Sequence, residues 1–152
     1  KTKSFSLIED YEITKESKTG KISEAKVTLS EWLYAALMNY DVLTIDHEYF
    51  KLKGGLERRL YELGRKHMGK GLIWKCDLSK LKEKCGSACA LKLFRFELRK
   101  IIQSDPLPRM RLALDAKEDK AVFYTRDDTA MIQYLADNNL DEWYFSLDRG
   151  QN

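Results

Sequence analysis

The chain has 152 residues, 43% of them hydrophobic and 34% charged, with a net charge of +3. That length is expected to form one domain, or one domain with an appended element, and the mixed charge with ample apolar content argues against disorder. The absence of any apolar run near 18 residues and of an opening signal peptide excludes a spanning helix on sequence grounds, so a cytoplasmic protein with no membrane partner is expected, and the start at Lys1 suggests a partial sequence.

Residues 5–13 and 21–27 alternate apolar and polar side chains around a turn at 14–20, which predicts a β-hairpin. Thr28 precedes Glu31 by three, a capping-box spacing, with Val27 and Trp32 at staple positions; the following helix is expected to reach about Tyr40. Residues 42–46 are short and β-branched, and 49–52 continue as extended or turn-like structure. Asp46 and Glu48 there read as a solvated surface pair. After Gly54 and Gly55, Leu56, Leu60, Leu63 and His67 fall at helical spacing over 56–68, with Arg58, Arg59, Arg65 and Lys66 on other faces.

A strand is expected at 72–76, then a short helix at 79–85 capped by Asp77 or Ser79 and ended by Gly86. Ser87 is placed to cap a longer helix at 88–104, whose apolar stripe is Leu91, Phe94, Leu98 and Ile101, with Ile102 beside it. Pro106 and Pro108 prevent its continuation. Two alternating strands, 110–114 and 121–125, enclose a polar tip at 115–120. Asp127 or Asp128 caps a last helix at 129–138, and 140–147 is an amphipathic tail whose Trp143, Tyr144 and Phe145 are expected to pack back on the domain. The expected organisation is thus an extension at 1–41, a central domain at 42–126 and a C-terminal helix and tail at 127–152.

The charge is segregated along this order. Residues 51–111 hold 17 Lys and Arg against 6 Asp and Glu, while the rest of the chain holds 10 against 18. A basic centre between acidic ends suits a polyanion, most simply a nucleic-acid backbone. From 56 to 125 the order is helix, strand, helix, helix, hairpin, which is the order of a winged helix-turn-helix. The fold class expected is therefore α+β, with a β-hairpin and helix extension before the winged helix.

In that arrangement the second helix of the pair enters the major groove and the hairpin lies along the backbone. With its stripe turned inward, helix 88–104 projects Lys92, Arg95, Arg99 and Phe96 outward, and Arg95 is the best placed for a bidentate base contact. Ser87 and Ala88 would offer free backbone N–H groups to a phosphate, and Lys117 and Lys120 at the hairpin tip would hold the backbone. The reading fails if these cations are locked in intramolecular pairs or covered by the chain's own terminus with no groove-sized approach left open. A cationic helix face is also what any solvated helix presents, and winged helices also serve as protein-binding modules.

Three groups of residues carry a family resemblance: LTIDHEYFKLKGGLERRLYELGRKH at 43–67, the W-K-C-D-L-x-x-L-x-x-K-C-G-S pattern at 74–87, and FRFELRKI at 94–101. With VTLSEWLYAAL at 27–37 they resemble the bacterial plasmid replication initiator protein A family over about residues 5–125. The resemblance implies tandem winged helices that bind repeated origin sites (iterons), bend or melt nearby DNA and recruit host replication initiator and helicase proteins. It places the match on the C-terminal winged helix, without the N-terminal module associated with dimerisation and additional DNA contact in related initiators; self-association is a further possible partnership. Two departures stand out: Gly54 and Gly55 replace the family's basic residue and Pro before the LERR helix, which loosens that helix start, and Gly64 sits mid-helix where Ala is commoner.

Other chemistries fit less well. Cys76, Cys85 and Cys89 are spaced C-x8-C-x3-C, without the paired short spacings of structural zinc, and His47 and His67 lie twenty residues apart. A rolling-circle nicking enzyme needs a His-x-His cluster and a nucleophilic Tyr, and no Ser-His-Asp set or Walker loop occurs either. No metal, no cofactor and no catalytic activity are expected. A winged-helix repressor acting on its own promoter, and a protein-binding winged helix, are the competing readings.

Overall fold

The computed structural model describes residues 6–39 and 43–150, which fall into two compact units divided between Thr44 and Ile45. The first unit is a hairpin of β1 (Ile8–Lys15) and β2 (Ile22–Leu29), followed by helix α1 (Glu31–Met38). The strands pair antiparallel with Tyr11 opposite Val27 and Ile13 opposite Ala25, and a bulge intervenes between Ile8 and Asp10. Gly20, at φ 67°, closes the turn with its N–H on the Glu16 carbonyl. One face of the hairpin is apolar and the other carries Asp10, Glu12, Glu24 and Lys26; all of both strands is exposed.

The helix cap differs from the sequence expectation. Thr28 stays in the ladder opposite Asp10, and Ser30 is the cap, its hydroxyl accepting from the Leu33 N–H at 3.4 Å. Pairing with β1 holds Thr28 extended, so the turn into α1 is two residues later, and Glu31 becomes a first-turn residue. The helix ends at Met38 with Asn39 as its cap, and Tyr40 lies outside the described residues, as do Phe5 and Val42 of the expected strands.

The second unit runs in the order α2 (Gly55–Met68), β3 (Ile73–Asp77), α3 (Leu78–Lys84), α4 (Leu91–Ser104), β4 (Met110–Asp115), β5 (Lys120–Thr125), α5 (Asp128–Asn138) and α6 (Asp141–Phe145). A 3-10 turn, His47–Lys51, precedes it where extended or turn-like structure was expected, and the Asp46 carboxylate caps it by accepting from the Glu48 N–H. Asp46 is not a merely solvated acid: its other oxygen accepts from Arg109 at 2.6 Å, and its N–H donates to the buried Tyr61 hydroxyl. The Arg109 hydrogen bond, then the Glu48 N–H, hold its carboxyl below the usual range.

The sheet is antiparallel in the order β3-β5-β4. On one face Leu112, Leu114, Ala121 and Phe123 meet Leu60, Leu63, Leu81, Phe94 and Leu98 of the three helices; on the other, Ala113, Val122 and Tyr124 meet Met131, Leu135 and Leu147. The expectation of simply alternating strands is corrected: β4 and β5 are buried on both sides, because α5, α6 and the tail cover the second face. Trp143 and Tyr144 pack there as expected, whereas Phe145 stays exposed. This is an α+β unit built on antiparallel pairing.

Two glycines show why the sequence is as it is. A methyl at Gly64 would approach the Met110 sulfur to 2.4 Å and Phe123 to 3.1 Å, so the missing side chain lets α2 close on the sheet. Gly54 is the N-cap of α2, and its N–H donates to the Glu57 carboxylate at 2.9 Å, which fixes a helix start that the sequence alone made look loose.

Candidate nucleic-acid interface

Helix α4 presents the stripe that its spacing predicts: Phe94, Leu98, Ile101 and Ile102 are buried, with Phe94 only 1% exposed, and Leu91 is half-buried against the same core. Its far end is fixed by Asp105, at φ 44°, whose carboxylate and carbonyl both accept from the Arg126 guanidinium. Arg126 also donates to the Leu107 carbonyl, so the α4–β4 connection is tied to the end of β5. The helix that would carry recognition is therefore held at its base by packing and at its C-terminus by a buttressed turn.

The start of α4 is a correction. The helix begins at Leu91 with Ala90 as its cap, and six residues, not a tight Gly86-Ser87 turn, join it to α3. The reason is that the N–H of Ser87 is used to close α3. It donates to the Lys82 carbonyl while Gly86, at φ 69°, donates to that of Glu83, a Schellman stop. The Ser87 hydroxyl then lies 3.1 Å from the Cys89 sulfur. Ser87 and Ala88 therefore sit in the linker, and the helix-end phosphate position assigned to them does not exist there.

The remaining predicted residues do share one side of the unit. Lys92, Phe96 and Arg99 lie on the exposed side of α4, opposite the buried stripe, and Arg95 lies on its flank. Lys117 is exposed at the hairpin tip, and Lys120 begins β5. The expectation that all these cations project free is corrected. Arg95 pairs with Asp119 of the hairpin tip at 2.5 Å, Arg99 with Asp148 of the C-terminal tail at 3.3 Å, and Lys120 with Glu118 at 2.6 Å. Among the described residues, the ammonium groups of Lys92 and Lys117 have no acid partner.

These pairs are partly open to solvent. The Arg99 side chain is still 58% exposed and that of Arg95 32%. Surface ion pairs contribute at most about 1 kcal/mol and are screened by salt. The tail that supplies Asp148 is itself anchored: Asp148 and Leu114 exchange two backbone hydrogen bonds, Leu147 is buried, and Gly150 abuts Gln103 of α4. The C-terminal segment therefore borders the base of the cationic face, and its acid lies beside Arg99.

Asp115 is the residue whose role sequence reasoning missed. Read as part of the polar hairpin tip, it is 3% exposed at the end of β4. Burial pushes its carboxyl up, but the Trp143 indole N–H, the N–H groups of Glu118 and Lys117, and the charge of Lys75 outweigh that and leave it below the usual carboxylate range. One carboxylate thus shapes the hairpin tip and ties it to α6. Elsewhere His67 stacks on Trp74 at 4.4 Å. The cysteines are all free thiols: Cys76 lies in the core, and burial pushes Cys85 up to about 11. Among the described residues no group of three His, Cys, Asp or Glu is arranged to hold a metal ion, and no helix is long and apolar enough to cross a membrane.

The sequence profile of the replication initiator protein A family matches residues 1–112. A curated protein of Wigglesworthia glossinidia brevipalpis, named "Putative replication protein", is 37% identical over 128 residues, which cover 83% of this chain and 46% of that protein. The chain thus spans about half the length of the curated relative it matches. No solved structure matches it.

Proposed function

The chain belongs to the replication initiator protein A family, and on that premise we propose that its second unit is a winged helix that binds duplex DNA sequence-specifically at repeated sites of a plasmid origin. The order α2, β3, α3, α4, β4, β5 and the sheet order β3-β5-β4 support the winged-helix reading. Helix α4 lies in the major groove, and the β4–β5 hairpin follows the backbone. The observation that carries the proposal is the division of α4 into a buried apolar stripe and an outward face bearing Lys92, Arg95, Phe96 and Arg99.

On this reading Arg95 exchanges Asp119 for a guanine edge or a phosphate, and Arg99 exchanges Asp148. Lys92 and Lys117 meet phosphates without first leaving a partner. The chain marks a place on DNA and performs no chemistry; strand opening belongs to host initiator and helicase partners, and self-association to further parts of the initiator. The test is a gel-shift titration against duplexes carrying origin repeats, at two salt concentrations. Binding that prefers the repeats and weakens steeply with salt supports the proposal. Salt-independent binding, or none, rejects it, and preference for a promoter palindrome alone favours the repressor.

A further inference from the structure

Helix α4 carries an apolar feature that neither its core nor its charge explains. Leu93 and Phe96 stand three residues apart on one side of the helix, 50% and 53% exposed, outside the buried stripe. Lys100 sets its ammonium over the Phe96 ring at 4.4 Å, and Lys92 and Arg99 flank the pair. Two half-exposed side chains ringed by three cations make a poor seat for an apolar protein surface, which needs a contiguous patch of some hundreds of Å². Arg99 and Lys100 also pair with Asp148 and Glu97, yet their side chains stay 58% and 56% exposed, so the face suits a polyanion and the apolar pair suits an apolar group embedded in it. In the major groove the 5-methyl group of thymine is that group, and apolar side chains on a recognition helix contact it.

We infer that Leu93 and Phe96 form a step on α4 that reads thymine methyl groups, a source of specificity separate from the arginines. The inference rests on the proposed placement of α4 in the major groove. Lys100, held over the Phe96 ring and paired with Glu97 at 3.0 Å, limits where that ring moves.

Replacing thymine by uracil removes the methyl and leaves every hydrogen-bonding group in place, which makes it the appropriate probe. Duplexes selected by the full 152-residue chain from a random pool would be resynthesised with uracil at each thymine in turn and titrated by fluorescence anisotropy. At one or two positions uracil is expected to weaken binding about three- to tenfold, the effect of losing one buried methyl contact. The double variant Leu93→Ala, Phe96→Ala is expected to bind the thymine and uracil forms equally while melting at the wild-type temperature, since both side chains lie outside the core. Sequence-selective binding with equal thymine and uracil affinities, or to a consensus without thymine, overturns the methyl reading and leaves DNA binding standing. Discrimination that survives in the double variant overturns the assignment to these two residues. Absence of any duplex binding overturns both proposals.

Discussion

The two hairpins of this protein have opposite fates. In β1–β2 every residue is exposed, including Ile8, Tyr11, Ile13, Val27 and Leu29 on one face. In β4–β5 almost every residue is buried, and even Asp115 is enclosed. Strand propensity and alternation are similar in the two; what differs is the cover. The second hairpin lies between three helices on one side and the C-terminal helices on the other. A two-stranded sheet has little stability of its own, so stability in the second unit comes from its layers and not from its strands.

The largest expected effect sharpens that comparison. Phe94→Ala removes a fully buried ring and is expected to cost about 3–5 kcal/mol in denaturant unfolding of the second unit, while Tyr11→Ala in the open hairpin changes the same transition by less than about 0.5 kcal/mol. Equal losses would break the comparison. Asp115→Ala follows, at about 2–3 kcal/mol, because it strands the Trp143 indole and two tip N–H groups. Because the folded carboxyl lies below its unfolded value, its contribution is complete above about pH 4 and is lost as the pH falls through the lower folded value. Asp115→Asn is therefore expected to flatten the acid limb of a stability–pH curve; an unchanged limb would remove Asp115 from the account.

Gly64→Ala is expected to destabilise by about 1–2 kcal/mol, since crowding against Met110 and Phe123 outweighs the gain of about 1 kcal/mol in helix propensity. A stabilised variant would mean that the α2–sheet contact is loose enough to accept a methyl. The smallest effect is Asp148→Asn. Freeing Arg99 from its acid is expected to tighten duplex binding about two- to fivefold at low salt, with the gain fading as salt rises. Unchanged affinity would mean that Arg99 makes no DNA contact.

What the sequence revealed follows the same divide. Local signals placed the α4 stripe and the second hairpin within a residue or two, the first hairpin within about three, and narrowed the last helix cap to Asp127 or Asp128, because these depend on spacing and on neighbouring groups. The cap at Ser30 was missed because pairing with β1, not local preference, decides where β2 ends. The start of α4 was missed because a strong capping residue, Ser87, was already committed to ending α3. The pairs Arg95–Asp119 and Arg99–Asp148 join residues 24 and 49 positions apart, beyond any periodicity. The role of Gly64 was legible only as a question that the packing of Met110 and Phe123 answers.

The most direct test compares wild type with the triple variant Lys92→Ala, Arg95→Ala, Arg99→Ala on an origin-repeat duplex at two salt concentrations. Loss of repeat preference, an affinity lower by tenfold or more, and a salt slope shallower by about two to three are the results predicted for a recognition helix. A correctly folded variant that binds the repeats with wild-type affinity and slope would contradict the account.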